Sequence, residues 1–381
     1  MLGSIKRSIL FVGKFFAALV ALVGQVLSSN EIRKVHINSN CKIAILINFG
    51  IGNVLMVSPI LQAIKSKYPE SHITVIGEKS SLQIIKYSPY CDKFYYLKTK
   101  IISNIIFFSK LDCDVFFCAF PGNSFKTAVY GLLSSAPIRI GYSYPTLLRN
   151  SSLFFTHHIP PIRAHIVEKN IELLTFLNIR VNKNDRKPKY YFNPHYHGDE
   201  YQRFIDNRNE DKKNMIAFHV GAAKGGIGRR WSLEKFDELA SLLEDLGSVV
   251  LIFIGPDELN LRSQVENFTS NCIIIEGISL DEVARLLQKC EIIISNDSSL
   301  MHIAAAVSIP SIGLYGPTDP LLSSPYGAVH EAVTAHSDCS PCYTAEKPLS
   351  CKIDYKCMQT ITVQDVLKAT EKFIHRKVFE K

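Results

Sequence analysis

Short apolar runs alternate along this chain with longer stretches whose apolar residues repeat at helical spacing. "IAILIN" (43–48) is apolar up to its final Asn48, the pattern of a strand buried on both faces. "VLMVSPILQAIKSK" (54–67) reads as a helix, "ITVIG" (73–77) as the next strand, and "DVFFCAF" (114–120) as a later one with a candidate helix over 124–134. Strand, helix, strand in this order is the grammar of a parallel sheet covered by helices on both faces. Between 181 and 213 the pattern weakens into a polar segment broken by Pro188 and Pro194, with room for one short helix. It then restarts. "MIAFHV" (215–220), "VVLIFIG" (249–255), "IIIS" (292–295) and "SIGLY" (311–315) are strands. The helix at 232–246 has Ser232 as N-cap, and the one at 279–290 has Ser279 and Glu282 spaced as a capping box. A last capped helix runs from Thr362 to about Arg376.

The pattern therefore predicts an α/β protein with two parallel-sheet domains in tandem. The expected divisions are an N-terminal segment (1–40), a first domain (41–190), an interdomain segment (191–213), a second domain (214–360) and a C-terminal helix (361–381). Sheets of this kind bind ligands beyond the carboxyl ends of their strands, so two such domains facing each other across a cleft can hold two substrates.

Composition adds three constraints. Hydrophobic residues make up 47% of 381 residues, enough for two cores. The net charge of +8 suits an anionic ligand or an acidic membrane surface, and no Lys/Arg block argues for nucleic acid. Of ten cysteines, six stand at apolar positions and suit a reducing compartment. The other four, Cys339, Cys342, Cys351 and Cys357, are spaced so that a structural zinc, disulfides and free thiols all stay open.

At the N-terminus, Lys6 and Arg7 precede "SILFVGKFFAALVALVGQVLSS". Lys14 interrupts the apolar run, the uninterrupted part is short for a bilayer span, and no A-x-A cleavage site follows. The expected state is an uncleaved helix over residues 4–27 lying on a membrane with Lys14 snorkelling. A signal peptide, a true span and a helix packed on the protein itself are the alternatives.

Two stretches carry candidate chemistry. "SNDSSLMHIAAAVSIPSIGLYGPTDP" (295–320) ends a strand and opens a helix near Ser298, where free N–H groups favour anions. Asp297 would suit the N-cap or accept from ribose hydroxyls, and Ser298 and His302 share a helix face. "HVGAAKGGIGRRWS" (219–232) joins small residues to Lys224, Arg229 and Arg230, a combination that suits a diphosphate. Each could equally be an ordinary capped helix or a basic loop.

Together these stretches resemble glycosyltransferase family 9, the family of the ADP-heptose:lipopolysaccharide heptosyltransferases. "GIGNVLMVSPILQAIKSKYP" looks like the family's opening G-x-G-D-x-L segment, "RRWSLEKFDEL" is similar to its K-R-W-P signature, and "DSSLMHIAAAVSIPSIGLYGPTDP" to its long D-[ST]-[GS]-x-x-H signature. The resemblance runs from about residue 42 to the C-terminus.

The resemblance implies a GT-B fold with a C-terminal helix packing back toward the first domain. It implies a nucleotide-sugar donor, ADP-heptose above others, held by the second domain. It implies a lipid-linked glycan acceptor held by the first, and inversion without a metal or other cofactor. A place on the cytoplasmic, inner face of the membrane goes with it.

Asp297, Ser298, Ser299 and His302 fall on its donor-binding positions, and Arg229 on its basic residue, usually Lys. Gly221 and Ala222 open the loop, where Ala222 and Ala223 replace common hydroxyl residues. Ile278 falls where the adenine is flanked and Glu258 near the ribose-binding acid. Gly52 and Asn53 fall on the acceptor side. There Asn53 replaces the Asp expected to act as general base, and an amide cannot take that proton. Either another base serves, with His165 the first candidate beside Glu168, or positioning suffices, or the protein is a non-catalytic nucleotide-sugar-binding protein.

Overall fold

The protein is described by a computed structural model that covers residue 35, 37–47, 49–120, 125–143, 154–160, 162–196, 198, 200–209, 213–222, 226–343, 351 and 353–374. The expected membrane helix over 4–27 lies outside the described residues. Among those described, no helix is long and apolar enough to cross a membrane.

The chain divides into two compact units, Met1–Arg186 and Lys187–Lys381. In the first, strands β1 (Lys42–Ile47), β2 (His72–Gly77), β3 (Lys93–Tyr96), β4 (Val115–Cys118), β5 (Ile138–Tyr142) and β6 (His157–Ile159) form one sheet in the order β3-β2-β1-β4-β5-β6. All its pairings are parallel, with Ile45 opposite Val75 on one side and Phe117 on the other. In the second, β7 (Asn214–His219), β8 (Ser248–Ile254), β9 (Ile273–Glu276), β10 (Ile292–Asn296), β11 (Ser311–Tyr315) and β12 (His330–Thr334) take the order β12-β11-β10-β7-β8-β9. Read from either end, the two sheets have the same connectivity, that of a doubly wound nucleotide-binding sheet, and each reverses direction between its first and fourth strand.

The helices of eight or more residues are α1 (Ile51–Lys67), α2 (Ile101–Ser109), α3 (Phe125–Leu133), α4 (Ile166–Leu173), α5 (Leu233–Asp245), α6 (Leu280–Leu287), α7 (Ser299–Ala306) and α8 (Val363–Ile374). Local chemistry sets their starts. Ser232 caps α5, and Ser279 with Glu282 closes a full capping box on α6. A short helix, Glu200–Asp206, lies in the expected interdomain segment. That segment is tied to α6, where Asp281 accepts from the Asn193 N–H at 2.8 Å and from the Tyr190 hydroxyl. The apolar residues of α8 (Val363, Val366, Ala369) are buried in the core of the second unit, with Phe218, Trp231 and Phe236.

Candidate active site

In the second unit the direction of the sheet reverses between β7 and β10. Both strands end in polar residues after apolar runs, His219 on one and Ser295 and Asn296 on the other, and all three are buried. Asn296 joins the two strand ends. Its Nδ2 donates to the Val220 and Gly221 carbonyls at 2.8 and 3.1 Å, and its Oδ1 accepts from the Trp231 N–H at 2.9 Å. The Trp231 indole N–H donates in turn to the Ile361 carbonyl. The loop after β7 is thus fixed at both ends; Lys224, in its middle, lies outside the described residues.

The N-cap of α7 is Ser298, not Asp297. Asp297 instead meets Arg229, with Oδ2 3.1 Å from Nη1 and the carboxylate largely buried. A carboxylate cap is also charge-assisted, but against a guanidinium both partners carry charge, and the carboxylate goes there. The Ser298 hydroxyl does not cap the helix either. It lies 2.9 Å from Nδ1 of His219 and 2.8 Å from the Ser295 hydroxyl. The first N–H groups of α7 therefore carry no side-chain cap and remain suited to an anion.

The protons in this chain can be counted. Ser295 donates its one hydroxyl hydrogen to the Asn296 carbonyl at 2.7 Å. It can then only accept from Ser298, so Ser298 donates to Ser295 and accepts from His219. Nδ1 of His219 is thereby a donor; Nε2 faces Glu258, 3.8 Å from its Oε2, and favours that carboxylate only when it carries a proton as well.

Glu258 is 4% exposed and wedged against two glycines. A Cβ on Gly221 would stand 2.1 Å from its Cγ, and one on Gly255 would stand 2.7 Å from Oε2, so neither position tolerates a side chain without displacing the carboxylate. Burial pushes this carboxyl up, but His219 opposite it, the charge of Arg230 and the Gly255 N–H outweigh burial and hold it below its ordinary value. Ile278 is half-buried just beyond β9, where Gly277 at φ +70° turns the chain into α6. Ser299 is half-buried, and Ala222 and His302 are buried. The structure thus brings Arg229 onto Asp297, and Ser298 and Glu258 onto His219, at the end of one sheet. Sequence reasoning missed His219, Ser295 and Asn296, whose one signal is a polar residue closing an apolar run.

In the first unit the reversal lies between β1 and β4. Gly50 is the N-cap of α1, Gly52 is buried in its first turn, and Asn53 is its third residue. The Asn53 amide is half-buried and hydrogen-bonds to no described residue, and no acid stands in that first turn. Beyond β4, Asn170 of α4 is fully buried and clamps Phe120, accepting from its N–H at 2.8 Å and donating to its carbonyl at 3.1 Å. Lys169 beside it is buried with Nζ 4.0 Å over the Phe120 ring.

His165 is the N-cap of α4, and its Nδ1 accepts from the Val167 N–H at 3.2 Å. Neutral imidazole with Nδ1 as acceptor carries its proton on Nε2, so in this arrangement neither nitrogen has an uncommitted lone pair. Glu168 pairs with Arg186 at 2.7 Å.

Around the four late cysteines, Cys357 is buried, Cys342 and Cys351 half-buried and Cys339 exposed; none is in a disulfide. Burial first, then the neighbouring thiols, raises the Cys357 thiol above its ordinary value. Among the described residues no group of three or more His, Cys, Asp or Glu is placed to hold a metal.

Comparison with known proteins places these features. The chain is 24% identical over 296 residues to lipopolysaccharide heptosyltransferase 3 of Escherichia coli, covering 72% of this chain and 83% of that protein. Among solved structures, a family 9 glycosyltransferase from Veillonella parvula superposes with a TM-score of 0.71 at 23% identity, covering 88% of this chain and 97% of that one. E. coli ADP-heptose lps heptosyltransferase II does so with a TM-score of 0.67 at 21% identity, covering 88% and 99%. At these identities the likeness establishes the fold, which is GT-B. The sequence profile of glycosyltransferase family 9 (heptosyltransferase) matches residues 121–353, more than half of the chain. The chain belongs to glycosyltransferase family 9, the heptosyltransferase family.

Proposed function

We propose that the protein transfers a heptose from ADP-heptose to a lipopolysaccharide-type, lipid-linked acceptor, with inversion at the anomeric carbon and without a metal. The observation that carries this reading is the Arg229–Asp297 pair beside the uncapped start of α7. Asp297 would repel a phosphate on its own, so Arg229 stands between it and the diphosphate. Arg229 and the helix N–H groups then neutralise the charge that grows on the leaving group, the task a metal performs in other enzymes. Lys224 lies in the same loop in sequence and adds to that charge. Glu258 accepts from the ribose hydroxyls, Ile278 flanks the base, and Ser299 and His302 complete the donor contacts.

On the acceptor side, Asn53 accepts a hydrogen bond from the attacking hydroxyl through Oδ1 and orients it. The hydroxyl oxygen forms its bond to the anomeric carbon as the bond to the diphosphate breaks, its proton is released to water, and ADP departs. Because Asn53 cannot hold the proton and His165 is committed to capping α4, the rate rests on positioning and leaving-group stabilisation. The protein works on the inner face of the cytoplasmic membrane, held there by residues 4–27. Asn53 also favours a second reading, a nucleotide-sugar-binding protein of the same fold that does not turn over.

A panel of nucleotide sugars, scored for both binding and turnover, separates the two. The first reading expects ADP-heptose to bind and to be consumed, with inverted product by NMR and no loss of rate in EDTA. Binding without turnover on any lipid-linked acceptor would leave the second.

A further inference from the structure

In the first unit, α2 has apolar residues on two faces. Phe108, with Asn104, is buried on one. On the other, Ile101, Ile102 and Ile106 are 53%, 68% and 47% exposed, while Ile105 is half-buried and packs against the core with Phe108. At about 100° per residue Ile102 and Ile106 lie side by side along the helix, and Ile101 borders the buried face of Phe108. Single exposed apolar residues are ordinary, but a contiguous stripe marks an interaction surface.

The charge beside it is mainly positive, with the acids Asp112 and Asp114 exposed beyond its C-terminal end. Lys98 and Lys100 precede the helix and Lys110 closes it. Beyond Tyr96, the last residue of β3, an open basin of about 770 Å³ is lined by Lys79, Ser80, Gln83, Lys86 and Tyr96. These five lysines are exposed, and none has an ion-pair partner among the described residues. Among the described residues of this unit, Lys42 pairs with Asp112 and Lys65 with Asp92. Glu78, next to Lys79, is the one acid adjoining the basin in sequence.

We propose that α2 and its flanking lysines form a membrane-docking surface for anionic phospholipid. The isoleucines enter the interface, and the lysines, including those of the basin, meet headgroup phosphates. A second copy of this chain fits poorly, because a two-fold contact through α2 would set Lys98, Lys100 and Lys110 against their own equivalents. The proposal rests on the reading that the acceptor is lipid-linked, and it gives the first unit a membrane contact separate from residues 4–27.

Ile102→Trp in the full-length chain tests it. The chain's single tryptophan, Trp231, is 2% exposed and out of reach of a bilayer quencher. With vesicles of phosphatidylcholine and phosphatidylglycerol bearing brominated chains, the introduced indole should be quenched; with phosphatidylcholine alone it should not. Lys98→Gln combined with Lys100→Gln should weaken partition into the anionic vesicles about 25-fold, at about fivefold per lysine.

Several results would overturn the surface. One is flotation with the anionic vesicles but no quenching; another is partition unchanged by the lysine changes. A third is an oligomer, seen by sedimentation without lipid, that Ile102→Glu dissociates, since a second copy then covers the stripe. The two readings fail separately. Quenching without heptose transfer would sink the proposed function and leave the surface standing. Transfer to a lipid-linked acceptor without quenching would do the reverse.

Discussion

The two units repeat one strand order, yet the ends of their sheets are furnished in opposite ways. Where the second sheet reverses, polar groups are locked together: Arg229 on Asp297, Ser298 on His219 and Ser295, Asn296 on three backbone groups. Where the first reverses, Asn53 is half-buried with no described partner, and α1 begins without a capping side chain or an acid. The scaffold alone therefore does not make a site. One end is organised before a ligand arrives, as a site for a charged nucleotide must be if it is to stabilise a leaving diphosphate. The other offers a lone amide, and its chemistry waits on what the acceptor brings.

The comparison breaks most visibly at Arg229. Arg229→Ala removes the cation proposed to face the leaving group and strands Asp297 in a buried position, so turnover should fall about 10²–10³-fold. Arg229→Lys should keep most of it, since a lysine also supplies the charge; a lysine variant as slow as the alanine one would mean that the guanidinium fork, not charge, is what matters.

On the other side, Asn53→Asp should fold at least as well, because a carboxylate in the first turn of α1 meets the positive end of the helix dipole. It should also supply the missing base and raise turnover by about 10²-fold. Stopped-flow or product assays with the true acceptor would show it. A variant no faster than wild type, together with Asn53→Ala at full rate, would remove residue 53 from the mechanism.

A smaller effect is expected at Gly221. A methyl there must push the Glu258 carboxylate from its place, so Gly221→Ala should weaken ADP-heptose about ten- to a hundredfold, the range for losing a hydrogen bond to a charged group. Calorimetry giving unchanged affinity would mean that Glu258 does not touch the donor.

The smallest effect concerns stability. His330, on the edge strand of the second sheet, lies 2.9 Å from the Ser311 hydroxyl and 3.1 Å from that of Tyr315. Burial pushes its imidazole from 6.5 down to about 4, against the opposing pull of Glu331. Between those values the unfolded chain binds the proton and the native chain does not. The second unit should therefore be at full strength above pH 6.5 and lose up to about 1.4 kcal/mol per pH unit on acidification toward 4. Hydrogen exchange in β11 and β12 should follow that slope, and His330→Gln should flatten it.

Much of the scaffold could be read in the sequence because the central strands carry uninterrupted apolar runs. β1, β4, β7, β8, β10 and β11 are of that kind, and their predicted limits differ from the observed ones by at most two residues. β3, β5, β6, β9 and β12 escaped. β3 and β6 are short edge strands, half-buried over most of their length, and a three-residue run such as "HHI" has no periodicity to read. The capping box on α6 was legible because every atom in it comes from four adjacent residues. The contact of Ser298 with His219 was not, because it joins positions 79 residues apart and depends on two strands lying side by side. Asp297 shows the same limit: its local chemistry suggests a cap, and a partner 68 residues away decides otherwise.

The central claim is that the donor belongs to the second unit alone. Titration of ADP-heptose by calorimetry into wild type, Asp297→Ala and Asn53→Ala tests it most directly. Asp297→Ala, which frees Arg229 and removes a ribose or sugar acceptor group, should weaken binding about tenfold or more, while Asn53→Ala should leave it unchanged. Equal affinities for all three, or a loss at Asn53 as large as that at Asp297, would contradict it.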